Sequence, residues 1–156
     1  MAWQLGTEDQ GWVAHFVMRA LGEQPITIYG DGRQVRDVLY VDDAVEAYVH
    51  AWKALARAEE GIGGRAFNLG GGPANAVSLL QLVERLEVIV GRKVAVRFED
   101  WRGGDQRYFV ADSRRASRQL SLSEPTPWRT GLGRLSEWLA SEMPKPSAQS
   151  RQSVEA

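Results

Sequence analysis

Two arginines, Arg33 and Arg36, follow a tight Gly30-Asp31-Gly32 turn, where rigid neighbours would hold a guanidinium still. A guanidinium held in place can donate parallel N–H bonds to a phosphate or a carboxylate. Farther along, Asp100-Trp101-Arg102-Gly103-Gly104-Asp105-Gln106-Arg107 gathers two more arginines beside glycines. On residue physics alone, the first stretch describes an anion-holding corner. The bland alternative is local pairing, Arg36 with Asp37 and Arg102 with Asp105.

Other chemistry-bearing residues read more simply. Gly70-Gly71-Gly72 neither matches the G-x-G-x-x-G spacing nor directly opens a helix, which favours a strand-to-helix turn over a phosphate cradle. Asp42 and Asp43 stand at a helix start, where carboxylates cap and complement the dipole. His15 and His50 have no second ligand at metal spacing and read as structural or surface residues.

The elements that must position these groups follow from periodicity. Val13, Phe16, Val17, Ala20 and Leu21 form a helical stripe that Gly22 ends, and Pro25 opens a strand at residues 26–29. Residues 38–41 form a second apolar run, so that two strands flank the glycine turn. Val41, Ala44, Val45, Tyr48, Ala51, Trp52 and Leu55 mark one face of the clearest helix in the chain. Residues 65–69 read as a short strand. Ser78 is an N-cap for a helix carrying Leu79, Leu82, Val83, Leu86, Ile89 and Val90, with Gly91 as its stop. Alternation at Val94, Val96 and Phe98 predicts a strand with one face toward solvent, and residues 108–111 a further short strand. Asp112 or Ser113 would cap a helix reaching Leu120, and Leu132, Leu135, Trp138 and Leu139 are the expected buried positions of the last helix.

Composition narrows the functional class. The 156 residues carry 19 basic and 20 acidic side chains, a net charge of −1 that leaves no electrostatic footprint for nucleic acid. The cluster Arg114, Arg115 and Arg118 reads as a solvated helix face. No run is long enough to span a bilayer and no leader-like segment opens the chain, so a cytoplasmic location is expected. The absence of cysteine excludes disulfides and thiolate chemistry. One domain is expected over residues 1–143, followed by a disordered tail at 144–156 rich in Pro, Ser, Gln and charge.

Several stretches together carry a family resemblance: residues 26–43, Gly6-Thr7-Glu8-Asp9-Gln10-Gly11-Trp12-Val13-Ala14-His15-Phe16, Ala66-Phe67-Asn68-Leu69-Gly70-Gly71-Gly72, and residues 100–107. In that order they resemble the C-terminal, sugar-nucleotide-binding half of the extended short-chain dehydrogenase/reductases, the NAD-dependent epimerases and dehydratases. The Glu-Asp-Gln-Gly-Trp and Asp-Trp-Arg-x-Gly-Asp-Gln-Arg wording is most similar to the CDP-paratose (CDP-tyvelose) 2-epimerase branch.

The resemblance implies an α/β fold, the C-terminal portion of a Rossmann-type enzyme with short mixed strands and four to five helices. It also implies that Arg36 and Arg102 hold the diphosphate of a nucleotide sugar, with Tyr29 and Gly30 near the nucleobase. Gln34 and Arg107 stand beside the phosphate arginines, and His15 belongs to the helix start from which the family builds part of the sugar pocket. Gly103 departs from the proline usual in that element, which frees the orientation of Arg102. In such enzymes a nicotinamide takes a hydride from the sugar and returns it to the opposite face. The glycine fingerprint and the Tyr-x-x-x-Lys pair required for that chemistry are not in this sequence. The expectation is therefore a chain that binds no cofactor alone and lacks turnover, NAD belonging to a full-length parent. The expected partners are a nucleotide sugar, a CDP-sugar first, and a second copy or a separate N-terminal half. An alternative function is a non-catalytic nucleotide-binding or interaction module that dimerises through exposed strand edges.

Overall fold

A computed structural model describes residues 11–142. The expected loop before Gly11 and the expected tail at 144–156 lie outside the described residues. Helix α1 (Trp12–Leu21) buries Phe16, Val17 and Ala20, the stripe its periodicity demands. Strand β1 (Ile26–Tyr29) alternates buried Ile26 and Ile28 with half-buried Thr27 and Tyr29, so the latter two face away from the core. Strand β2 (Val35–Asp37) leads into helix α2 (Val41–Ala56). A single 3-10 turn (Pro73–Asn75), strand β3 (Ala76–Ser78) and helix α3 (Leu79–Val90) follow. Then come β4 (Val96–Glu99), β5 (Tyr108–Phe109), α4 (Arg114–Gln119) and α5 (Trp128–Glu142). The architecture is mixed α/β with five α-helices among the described residues.

The strands form two small sheets. In the first, β1 and β4 run parallel with Ile26 opposite Val96. In the second, β2 is central, antiparallel to β3 and parallel to β5, with Arg36 opposite Val77 and Phe109. The main core packs α1, β1, α3 and α5 through Phe16, Val17, Ile26, Ile28, Leu82, Leu86, Leu132 and Leu139. A smaller cluster of Ala54, Ile62, Ala116 and Leu120 joins α2 to α4. Among the described residues, no helix is long and apolar enough to cross a membrane.

Local signals explain several boundaries. Ser78 accepts from the Gln81 N–H at 3.2 Å, while the Gln81 side chain accepts from the Ser78 N–H at 2.9 Å. This reciprocal box satisfies two helix-end donors at once. Gly91 then ends α3 in the left-handed region. Ser113 sits at the start of α4 without a side-chain cap bond; Asp112 instead accepts from the Arg114 N–H at 3.2 Å.

Other expectations change. Residues 38–41 are not a strand: the ladder is Val35–Asp37 and Val41 already begins α2, because Arg36 pairs non-locally with both β3 and β5. Residues 65–69 form no regular element among the described residues, and the strand near the triple glycine is β3, after it. Gly70-Gly71-Gly72 therefore joins an unpaired segment to a 3-10 turn, not a strand to an α-helix. Val94 is buried, but Phe98 is 57% exposed, so the Val94-Val96-Phe98 face leaves the core at its far end. In α5, Leu132 and Leu139 are buried as expected, while Trp138 is 37% exposed and Trp128, read as a linker residue, opens the helix in the core. The bulky stripe of α2 points outward: Val45 is 54% exposed, Tyr48 74% and Trp52 67%, and the helix rests on its small residues Ala47 and Ala54.

Candidate functional site

A cleft of about 380 Å³ opens where the two sheets meet. Its walls are Trp12 and Phe16 from α1, Thr27 and Tyr29 from β1, Gln34 and Arg36 at β2, Leu79, and the stretch from Arg102 to Asp105. Alternation explains this composition. The core takes Ile26 and Ile28, which leaves Thr27 and Tyr29 for the opposite face, and the 3.6-residue period puts Trp12 and Phe16 on one side of α1.

Arg36 is fixed from two sides. Its Nη1 donates to the Val35 carbonyl at 2.8 Å and its Nη2 to Asp105 Oδ1 at 2.6 Å. The side chains of this ion pair are 22% and 27% exposed. The local partner Asp37 lies across the strand and accepts from the Gly72 N–H at 3.0 Å, so the Arg36–Asp37 pairing does not form. Arg102 places its guanidinium carbon 3.7 Å from the centre of the Tyr29 ring, a cation–π contact that orients the group despite Gly103. Both arginines therefore border one cavity.

Gln34 is 3% exposed and donates through Nε2 to the Tyr29 carbonyl at 2.6 Å. Its Oε1 is buried with no partner among the described residues. Leaving a buried acceptor unpaired costs about 1–3 kcal/mol.

The remaining expected residues lie beside the cleft, not on its lining. Gly30 has φ +89°, and a Cβ there would come 2.5 Å from the Trp101 indole. Its bare backbone accommodates the chain's own tryptophan. Arg107 sits over the same indole at 5.4 Å, forming a Gly30–Trp101–Arg107 stack. His15 is half-buried, its ring 6.4 Å from that of Phe16, and is not among the lining residues. Trp12, Phe16, Thr27 and Leu79 were not singled out from sequence, and Asp105 was read only as a local partner for Arg102. The apolar ones read as core positions, and the Arg36–Asp105 pair spans a sequence separation of 69.

A larger groove of about 990 Å³ runs along Gly70, Gly71, Gly72, Asn75 and the start of α4. Its polar groups are largely satisfied from within. Asn75 donates to the Thr126 carbonyl at 3.0 Å and accepts from the Trp128 N–H at 2.8 Å. Asp112 holds Arg114 through 2.8 and 2.6 Å contacts, which lower its carboxyl pKa to about 2. A Cβ on Gly70 would overlap the Asp37 carboxylate and one on Gly71 the Val38 carbonyl. These glycines make room for the chain itself and do not fit the role of a cofactor-phosphate cradle.

Asp43 does not cap α2. Its carboxylate accepts from the Thr126 N–H at 2.7 Å and hydroxyl at 2.8 Å, tying α2 to the link before α5. His50 contacts the Leu120 carbonyl through Nδ1 at 2.7 Å. No cluster of three or more His, Cys, Asp or Glu suited to a metal occurs among the described residues.

The fold and cleft thus define an α/β unit in which two arginines border one cavity. The model for the NAD dependent epimerase/dehydratase family matches residues 4–70. CDP-paratose 2-epimerase of Salmonella typhi is 37% identical over 145 residues, covering 88% of this chain and 41% of that protein. UDP-glucuronate 4-epimerase of Thermodesulfobacterium geofontis is 31% identical over 126 residues, 81% of this chain and 36% of that one. Among solved structures, UDP-glucuronic acid 4-epimerase from Bacillus cereus, in complex with UDP-glucuronic acid and NAD, aligns with a TM-score of 0.75 at 27% identity, over 84% of this chain and 40% of its own. The UDP-glucose 4-epimerase of Thermotoga maritima with UDP-glucose gives 0.73 at 29%, over 85% and 40%. The chain belongs to the NAD-dependent epimerase/dehydratase family, the extended short-chain dehydrogenase/reductases. It spans about two fifths of the length of these relatives.

Proposed function

We propose that this chain supplies the diphosphate-holding part of an NAD-dependent nucleotide-sugar epimerase, with a CDP-sugar as its ligand. The observation that carries the reading is that Arg36 and Arg102 border one cleft. Two guanidinium forks neutralise a diphosphate bidentately and fix its orientation. Tyr29, already under Arg102, offers a ring face near the base. The CDP preference rests on the likeness to CDP-paratose 2-epimerase. The redox step requires a cofactor-binding portion outside these residues, and turnover is not expected from this chain alone.

Calorimetry with CDP and UDP tests the reading. Arg36→Ala and Arg102→Ala should each weaken binding by about 1.5–3 kcal/mol, roughly 10- to 150-fold. Unchanged affinity in both variants overturns the phosphate assignment. Tighter binding of UDP than of CDP overturns the CDP assignment.

A second reading, an interaction module, is favoured by the outward stripe of α2, where Val41, Val45, Tyr48, Trp52 and Leu55 are all more than half exposed. Antiparallel pairing of two copies about Tyr48 would set the acidic start of α2, Asp42, near Lys53 of the other copy. Sedimentation across a concentration series tests it: a monomer throughout removes the reading.

A further inference from the structure

We infer that Asp105 is an internal competitor for the anion cleft: its carboxylate holds the Arg36 donor that a ligand phosphate would take, so binding is an exchange of one anion for another. This inference rests on the diphosphate reading above and adds to it a residue that sets how strongly the cleft takes a phosphate.

The cleft lining carries three formal charges, Arg36, Arg102 and Asp105; the other lining residues are neutral. One carboxylate therefore already offsets one of two guanidiniums. Of the Arg36 donors, Nη1 is held by the Val35 carbonyl of its own strand, and Nη2 by Asp105 at 2.6 Å. A phosphate approaching Nη2 from the cleft meets the carboxylate first, and two anions cannot share one guanidinium edge without repulsion.

The carboxylate can leave without disturbing the fold. Asp105 closes a turn in which its N–H donates to the Arg102 carbonyl at 3.2 Å, and Gly104 takes φ +81°, as the third position of such a turn requires. A Cβ on Gly103 or on Gly104 would meet nothing within 4 Å, so nothing packs against the two glycines at the centre of the turn. The flanks are anchored instead. Gly30 N–H donates to the Glu99 carbonyl at 2.9 Å, and Val35 N–H to the Arg107 carbonyl at 3.0 Å, with Trp101 seated on Gly30. Movement is thereby confined to residues 102–105, which carry both Arg102 and its competitor. When the carboxylate swings out, the like charge leaves the cleft and Arg36 presents Nη2 to the incoming phosphate.

The sign of one substitution decides between competition and support. If Asp105 only steadied Arg36, its removal would weaken binding. As a competitor, its removal strengthens binding. Titration calorimetry of the full chain with pyrophosphate and with UDP is expected to show Asp105→Asn binding about 3- to 10-fold more tightly than the parent, the scale of a partly exposed ion pair. Asp105→Glu, which keeps the charge, should bind within about twofold of the parent. In an Arg36→Ala background the Asp105→Asn gain should fall to less than half in fold terms, because the guanidinium under competition is gone. Weaker or unchanged binding in Asp105→Asn, with the parent binding normally, overturns the inference and leaves the diphosphate reading standing. Absence of binding in both the parent and Asp105→Asn overturns the diphosphate reading, and the inference with it. Melting curves of each variant confirm the folded state in which affinity is read.

Discussion

Asp112 and Glu87 show how single contacts set ionisation on this surface. The Arg114 guanidinium, aided by the Arg114 N–H, holds the Asp112 carboxyl down to about 2. Lys93 Nζ at 2.8 Å and the Val94 N–H at 3.1 Å lower that of Glu87. Both carboxylates have folded pKa values below their unfolded ones. Each contribution to stability is therefore present above the ordinary carboxylate range and is lost as pH falls through the folded value. For Asp112 that window runs from about 3.8 down to about 2. Carbon-detected NMR titration should find the Asp112 carboxyl half-protonated near the lower figure, and Arg114→Ala should return it toward the ordinary range. An Asp112 midpoint unaffected by Arg114→Ala would contradict the pairing. At the same scale, the arginines of the cleft were visible as residue types in a family wording, whereas the counter-ion of Arg36 was not. Asp105 lies three residues after Arg102 in sequence, and only the pairing of β2 with β5 brings its loop to Arg36.

The elements divide by how locally they are encoded. Helices α1 and α3 and most of α5 follow from apolar stripes with a glycine or a cap at the end, so their burial was readable in advance. The reciprocal Ser78–Gln81 bonds are local in the same sense. Ser78→Ala should cost about 1 kcal/mol of stability, measured by urea unfolding, since the Gln81 N–H loses its acceptor. A change below about 0.3 kcal/mol would mean that water replaces the cap without penalty. Strands obey another rule. Residues 65–69 have the better composition, yet Ala76–Ser78 forms the ladder, because a three-residue strand is selected by its neighbour and not by its own propensity. Trp128 was hidden for a similar reason: prolines on either side of Thr126 suggest a linker, while the Asn75 side chain draws the Trp128 N–H into the core.

At the scale of the molecule, the two sides of α2 carry different information. Ala47 and Ala54 allow close approach to the chain's own second core, and the aromatic and aliphatic side chains face out. An apolar stripe of this size is the surface that the interaction-module reading would use. Replacing Tyr48 and Trp52 together by glutamate should abolish any concentration-dependent increase in sedimentation coefficient without lowering the melting temperature, since neither residue is buried. Persistence of self-association in that variant would place the contact elsewhere.

The connections from β1 to β2 and from β4 to β5 both pass from one small sheet to the other, at the same place. A molecule seated there would stitch two otherwise separate ladders across a seam. Occupancy should then register along both ladders, as slower amide deuteration in Ile26–Tyr29 and Val35–Asp37 together, the two ladders opening and closing as a single unit.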